Sequence, residues 1–384
     1  MDHKDYQAAV QNYREYLAKT PGDAAAHFQL GYAYMSLQRL DDAKAEYEKA
    51  ISLDPQMGPA YLNLGLTLVD SNPNAAVDPL QKAAELSPDQ PGPKFLLGLA
   101  LERTGKISMA IEQYQAAENI DGKDFNIRFS LARALLGAGR AREAQPQFQA
   151  ALALQPDSAP AHLGLARSLV AENDLDAAAT EFAGYLKSQP NDTGARIERA
   201  YVLSDLGKND DALAELDLAA AAGPENLRAL KLRSRIYLDK KRYADAIPVL
   251  EKASAMAPQE PDIPALLGHA YLEKRDYPNA VRELIVAFKM NQNANDVLGD
   301  LVAAQYSNNN CPAALEGLDL LAQRESLPPV SWFARANCYD KLGQSAKALD
   351  AYRRFLELNK DQGSDMYFEA TARVRTLARE VKKR

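Results

Sequence analysis

The chain has 384 residues, 47% hydrophobic and 25% charged, with a net charge of −7 and only two cysteines. That balance excludes a disordered polypeptide, a disulfide framework and a zinc site built from cysteine alone, and its negative field repels nucleic acid and anionic lipid. No apolar run approaches the roughly 18 residues that a membrane-spanning helix needs, and the opening MDHKDYQ lacks the apolar core of a signal peptide.

The first predicted element covers residues 2–20, where Ala9, Tyr13 and Tyr16 share one helix face and Pro21 closes the segment. From Ala24 a 34-residue pattern takes over. Its twentieth position is alanine in successive copies: Ala43, Ala76, Ala110, Ala144, Ala178, Ala212, Ala246, Ala280, Ala314 and Ala348, with one residue missing before Ala76. Four positions later stands a bulky side chain (Tyr47, Leu80, Tyr114, Phe148, Phe182, Leu216, Leu250, Leu284, Leu318, Tyr352), and three beyond that usually another alanine. Steps of 4 and 3 trace one face of a helix.

The first half of each copy carries a second such face, as in Leu30-Gly31 with Tyr34 and Leu97-Gly98 with Leu101. Small residues beside large ones let two helices approach closely, so each copy reads as an antiparallel helix pair. The copies begin at Ala24, Gly58, Pro91, Phe125, Ala159, Thr193, Leu227, Pro261, Asn295 and Pro329. Between the halves, Asn72, Gly105, Gly139, Asn173, Gly207, Asn309 and Gly343 predict a residue at positive φ that turns the chain back. Proline at the far end of most copies stops the second helix.

Departures from the pattern are local. Pro79, Pro146 and Pro248 fall inside second helices and predict bends there, and the deletion near Asn72 to Asn74 predicts a shortened turn. The copy from Asn295 is degenerate, with Gln305 in place of a tyrosine and Ser326 in place of the proline. Ser364 heads a final helix with Tyr367, Ala370, Val374, Leu377 and Val381 on one face.

The aromatic, the Leu-Gly pair, the tyrosine, and then alanine, aromatic, alanine and proline in a 34-residue frame resemble the tetratricopeptide repeat family. The resemblance implies an all-α fold, a right-handed superhelical α-solenoid of stacked antiparallel helix pairs. It divides the chain into residues 1–23, a half repeat with only a second helix, residues 24–362, ten tandem repeats, and residues 363–384, a capping helix. A half repeat lacks the helix that should cover it, which points to a polypeptide continuing upstream.

The same resemblance implies a non-catalytic scaffold for protein partners. Its alternative is the targeting or substrate-selecting region of a larger enzyme, a glycosyltransferase or a peptidase, or of an exported cell-envelope assembly factor. Cytoplasm and bacterial periplasm or cell envelope both stay open as compartments, as does the oligomeric state. Neither HExxH, GxSxG nor GxxxxGK[ST] occurs. His27 and His162 occupy the fourth position of their repeats, where the family often has tryptophan, and read as packing groups. No catalytic residue, metal site or cofactor is expected.

In this family recognition lies on the concave face, at positions 2, 5, 6, 9, 12 and 13 of the first helices. On that frame the first three repeats present Phe28, Tyr32, Met35, Leu62, Leu66, Val69, Phe95 and Leu99. The fourth to seventh add Phe129, Arg133, Arg167, Tyr201, Arg228, Lys231 and Arg235, and the last ones Asp262, His269, Glu273, Asp296, Asp300 and Asp340. Phe28, Tyr32 and Phe95 read as binding groups; for Leu66, Val69 and Leu99 packing and binding stand level. The cations point to a protein or peptide segment that is acidic in part, against the competing reading of local pairing with Glu198, Asp205 and Asp239. The Lys, Asn, Asn, Lys, Arg clamp that chaperone-binding members use for a terminal carboxylate is not reproduced in any three consecutive repeats.

The family frame also brings Cys311, at the seventeenth position of one repeat, toward Cys338, at the tenth of the next. Two readings follow, a disulfide closing a loop of 27 residues or two buried free thiols.

Overall fold

The computed structural model describes residues 3–383, and the first two residues assigned to the half repeat, with Arg384, lie outside it. Among the described residues there are 22 helices, each packed on its chain neighbour along most of the array. They fall into two compact bodies, Met1–Glu215 and Leu216–Arg384.

The N-terminal body opens with α1 (His3–Leu17), the lone second helix. Pairs follow: α2 (Ala24–Ser36) with α3 (Leu40–Leu53), α4 (Gly58–Leu68) with α5 (Pro73–Leu86), and α6 (Pro91–Arg103) with α7 (Ile107–Ile120). Next come α8 (Phe125–Gly137) with α9 (Ala141–Leu154), α10 (Ala159–Ala171) with α11 (Leu175–Ser188), and α12 (Thr193–Asp205) leading to α13 (Asn209–Ala222), within which the division falls. The C-terminal body continues with α14 (Leu227–Asp239) and α15 (Tyr243–Met256), then α16 (Asp262–Glu273) and α17 (Tyr277–Met290). It ends with α18 (Asn295–Ser307) and α19 (Cys311–Arg324), α20 (Pro329–Lys341) and α21 (Ser345–Leu358), and α22 (Asp365–Lys383), which packs on α21. Nine first helices begin where the 34-residue frame places them; α16 begins one residue late because Pro261 stands as its N-cap.

Core positions repeat without exception. Every alanine of the twentieth position, from Ala43 to Ala348, is 0% exposed. The bulky residue four places on is buried each time, from Tyr47 to Tyr352, so one interlocking contact recurs along the chain. Close approach is tightest where the first helix carries glycine: a Cβ on Gly98 would stand 2.7 Å from the Tyr114 ring. Pro79, Pro146 and Pro248 lie inside α5, α9 and α15, which run on through them.

The turns between paired helices correct the glycine-and-asparagine expectation in two ways. Gly105, Gly139, Asn173, Gly207, Asn309 and Gly343 do take positive φ, but so do Gln38 (59°), Lys241 (55°) and Arg275 (63°) at the same register. Each left-handed residue lets the next N–H reach back to the carbonyl five residues earlier, as from Arg39 to Tyr34 at 2.9 Å, which satisfies the exposed end of the first helix. Asn72 does not adopt this conformation: its φ is −148°. The deletion removes the left-handed residue itself, so Asn72 moves into the N-cap of α5 and its side chain accepts from the Ala75 N–H.

A second recurring device joins five first helices of the N-terminal body to the chain around them. His27 Nδ1 meets Glu46 at 2.5 Å and its Nε2 the Pro21 carbonyl at 3.1 Å. His162 repeats the arrangement with Glu181 at 2.6 Å and Pro156 at 2.9 Å. Arg196 does the same with the Pro190 carbonyl at 2.9 Å and Glu215 at 2.7 Å, while Lys94 reaches the Pro88 carbonyl and Arg128 the Gly122 carbonyl. The fourth position thus holds a polar staple, where the sequence suggested simple packing. It satisfies the carbonyl that a preceding proline or glycine leaves at the end of the previous second helix.

Candidate functional site

First-helix residues at the fifth, ninth, twelfth and thirteenth positions project from the core in both bodies, and each body has its own character. In the N-terminal body the fifth-position rings pack downward. Phe28 lies 5.9 Å from Tyr47, Phe95 5.8 Å from Tyr114, and Phe129 6.0 Å from Phe148 and 5.7 Å from Phe125, stacked on the last. These three phenylalanines and Leu62 are half-buried, Val69 is buried, and Met35 is half-buried with its sulfur accepting from the Tyr47 and Thr67 hydroxyls at 3.8 Å.

The ninth position differs. Tyr32 is 42% exposed and Leu66 41%, with Leu99 half-buried in the next repeat. Tyr6 of α1 meets Tyr32 edge-on at 6.3 Å. Three successive first helices therefore carry an apolar side chain in the same register, exposed in the first two and half-buried in the third, and α2 touches α4 as α4 touches α6. Phe28 and Phe95 spend a ring face on the core, which ranks them below Tyr32 and Leu66 as contact groups.

Beyond Leu99 the ninth position turns cationic. Arg133 donates to Glu102 at 3.0 Å, and the Tyr114 hydroxyl also donates to Glu102, at 2.8 Å. Burial first, then this carboxylate, pushes the Tyr114 phenol well above its ordinary value. Arg167 forms a two-pronged pair with Glu198 at 2.9 and 2.8 Å, and that hydrogen bonding raises the Arg167 guanidinium further. In both pairs the arginine is the outer partner: Arg133 is 51% exposed over Glu102 at 18%, and Arg167 49% over Glu198 at 26%. Tyr201 is half-buried and engaged by neighbouring groups.

In the C-terminal body several of the corresponding residues are engaged by polar partners. Lys231 pairs with Glu260, and Arg228 and Arg235, both exposed, are engaged as well. His269 Nδ1 lies 2.8 Å from Asp300, and that hydrogen bond raises the imidazole above its ordinary value against the opposing effect of burial; the Tyr243 ring stands edge-on at 6.4 Å. Asp340 receives two hydrogen bonds of 2.6 Å from Arg373 of α22. Asn337 donates to the Tyr306 hydroxyl at 2.9 Å and accepts from Tyr352, in a shallow polar recess also lined by Glu369 and Arg373. Sequence reasoning did not reach this recess, because it needs side chains from α18, α20, α21 and α22 together.

Cys311 and Cys338 are both free in the structure and buried in one cluster with Ala314 and Leu315. Burial, then the hydrogen bond in which its S–H donates to Cys311, pushes the Cys338 thiol up to about 12. Among the described residues no group of three His, Cys, Asp or Glu is placed to hold a metal, and no helix is long and apolar enough to cross a membrane.

Comparison with known proteins agrees with the architecture. Models described as tetratricopeptide repeat match residues 1–66, 129–193, 197–261, 237–303 and 329–362. The chain is 34% identical over 118 residues to the cytochrome c-type biogenesis protein CycH of Rhizobium meliloti (29% of this chain, 30% of the relative). It is 30% identical over 90 residues to the small glutamine-rich tetratricopeptide repeat-containing protein 2 of Saccharomyces cerevisiae (23% and 26%). It spans less than a third of either curated relative. Among solved structures, YrrB, a TPR protein with an unusual peptide-binding site, aligns at TM-score 0.45 and 22% identity over 48% of this chain and 96% of its own. Yeast Tom70 aligns at 0.37 and 14% over 99% and 93%. Helix pairs in a 34-residue frame, the invariant alanine contact and these matches along the chain all agree, and the protein belongs to the tetratricopeptide repeat family.

Proposed function

We propose that this chain is a non-catalytic scaffold that holds a segment of a partner protein across the first-helix face of its repeats. The observation that carries this reading is the row of apolar side chains on three successive first helices, Tyr32 and Leu66 exposed and Leu99 half-buried. Such a row has no role in the internal alanine contact, and it offers an extended or helical segment a continuous strip with aromatic and aliphatic anchors. Arg133 and Arg167 supply register more than affinity, because each is already neutralised by a glutamate of the same face.

A photoreactive amino acid at Leu66, compared with one at exposed Glu112 on the second helix α7, tests the reading in cells of the source organism. Cross-linking of a partner from position 66 and not from 112 is the expected outcome. Partners captured from 112 alone would overturn it. The 34% identity to CycH, a cytochrome c-type biogenesis protein, favours one version of this scaffold, a factor in the biogenesis of another protein.

A further inference from the structure

Resting on that reading, we propose that the partner segment is an extended peptide with an ordered chemistry: apolar side chains about every third residue, followed at the same spacing by two carboxylates. The order comes from the ninth position of five successive repeats in the N-terminal body, which runs Tyr32, Leu66, Leu99, Arg133, Arg167. The step comes from geometry. Packed helices lie about 8–10 Å apart, and a peptide extended as polyproline II advances about 3.1 Å per residue with three residues per turn, so one repeat corresponds to one turn and every third side chain returns to the same face.

Continuity of this face is physical as well as sequential. Arg133 of α8 bridges to Glu102 of α6, α8 touches α10, and Arg167 of α10 bridges to Glu198 of α12. The sign of the polar half follows from depth. Each glutamate is less exposed than its arginine, so what an approaching segment meets first is the guanidinium. Arg133 is the less committed of the two, since it meets Glu102 through Nη2 alone, whereas Arg167 commits Nε and Nη2 to Glu198. A peptide carboxylate can therefore join each ion pair from the solvent side, sharing the cation with the buried glutamate. A cationic segment would have to displace the arginine first. Acidic residues placed before the apolar ones, in the same chain direction, would meet Tyr32 and Leu66 and gain nothing.

Selection from a random 15-residue peptide library on the full chain tests this, with a Leu66→Asp chain as the counter-target. Binders that depend on Leu66 are expected to carry apolar residues at a three-residue step with Asp or Glu beyond them on one side. For such a peptide, changing its acidic residues to Gln should weaken binding about threefold to tenfold to the parent chain and leave it unchanged in the R133Q/R167Q chain. Leu66-dependent binders without the acidic half, or a Gln effect of the same size in both chains, would overturn the ordered chemistry and leave the docking face standing. Selection of no Leu66-dependent binder would remove the docking face, and the ordered chemistry with it.

Discussion

The two bodies use one frame for opposite surfaces. At the ninth position the N-terminal body has Tyr32 and Leu66 open to solvent, while the C-terminal body has His269 tied to Asp300 and Asn337 tied to Tyr306 and Tyr352. Yet Ala43 and Ala280 are equally buried, as are Tyr47 and Leu284. The repeat separates the residues that make the fold from those that face outward, because the interlocking contact involves only the inner stripe of each helix pair. Surface chemistry can then change from repeat to repeat with no cost to the core.

Overpacking the inner stripe is the strongest way to break this comparison. Ala178→Leu in the N-terminal body and Ala280→Leu in the C-terminal body should each cost about 1–3 kcal/mol, read as a fall in the urea midpoint. Unequal penalties, with one variant at the parental midpoint, would mean that the bodies do not share one core. The polar staple comes next. His162→Ala should cost about 1 kcal/mol by leaving Glu181 and the Pro156 carbonyl without their shared partner, whereas Leu66→Ala on the open face should stay within about 0.5 kcal/mol.

Turn chemistry sharpens the comparison between repeats. Lys241→Gly and Gln38→Gly should each raise stability by about 0.5–1 kcal/mol, since both hold a left-handed conformation that glycine adopts without a Cβ clash. Asn72→Gly should give no gain, because that residue caps a helix at negative φ. A rise in the thermal midpoint for Asn72→Gly would contradict the account of the deletion.

The smallest effect is electrostatic. The Asp300 hydrogen bond raises His269 in the folded state, so its stabilisation is complete below the unfolded value of about 6.5 and fades as pH rises through the higher folded value. His269 is 43% exposed, so solvent screening keeps the slope shallow. Asp300→Asn should flatten the pH dependence of the urea midpoint in that window, and an unchanged slope would show that the pair carries no linkage.

Helix pairing was legible because alanine returns every 34 residues and nothing else satisfies that spacing, and nine helix starts agree for that reason. Gln38, Lys241 and Arg275 carried no residue-level sign of positive φ; register alone announced Lys241 and Arg275, 34 residues from Gly207 and Asn309, while the deletion puts Gln38 one residue out of step with Gly105. Asn72 misled because the deletion shifts register within the turn without changing composition. On the open face, the pairing of Arg167 with Glu198 was readable as a choice, but the downward tilt of Phe28 and Phe95 was not. It depends on the size of the ring beneath, Tyr47 or Tyr114, which periodicity does not weigh.

Cys311 and Cys338, at 3% and 0% exposure, give the C-terminal body a built-in clock. A thiol enclosed on all sides cannot meet an alkylating reagent until the surrounding helices part. The rate at which iodoacetamide labels the native chain, set against its rate on the denatured one, therefore counts how often the region around α19 and α20 opens. No added probe is needed, and because these are the chain's only cysteines, every labelling event reports on that region alone.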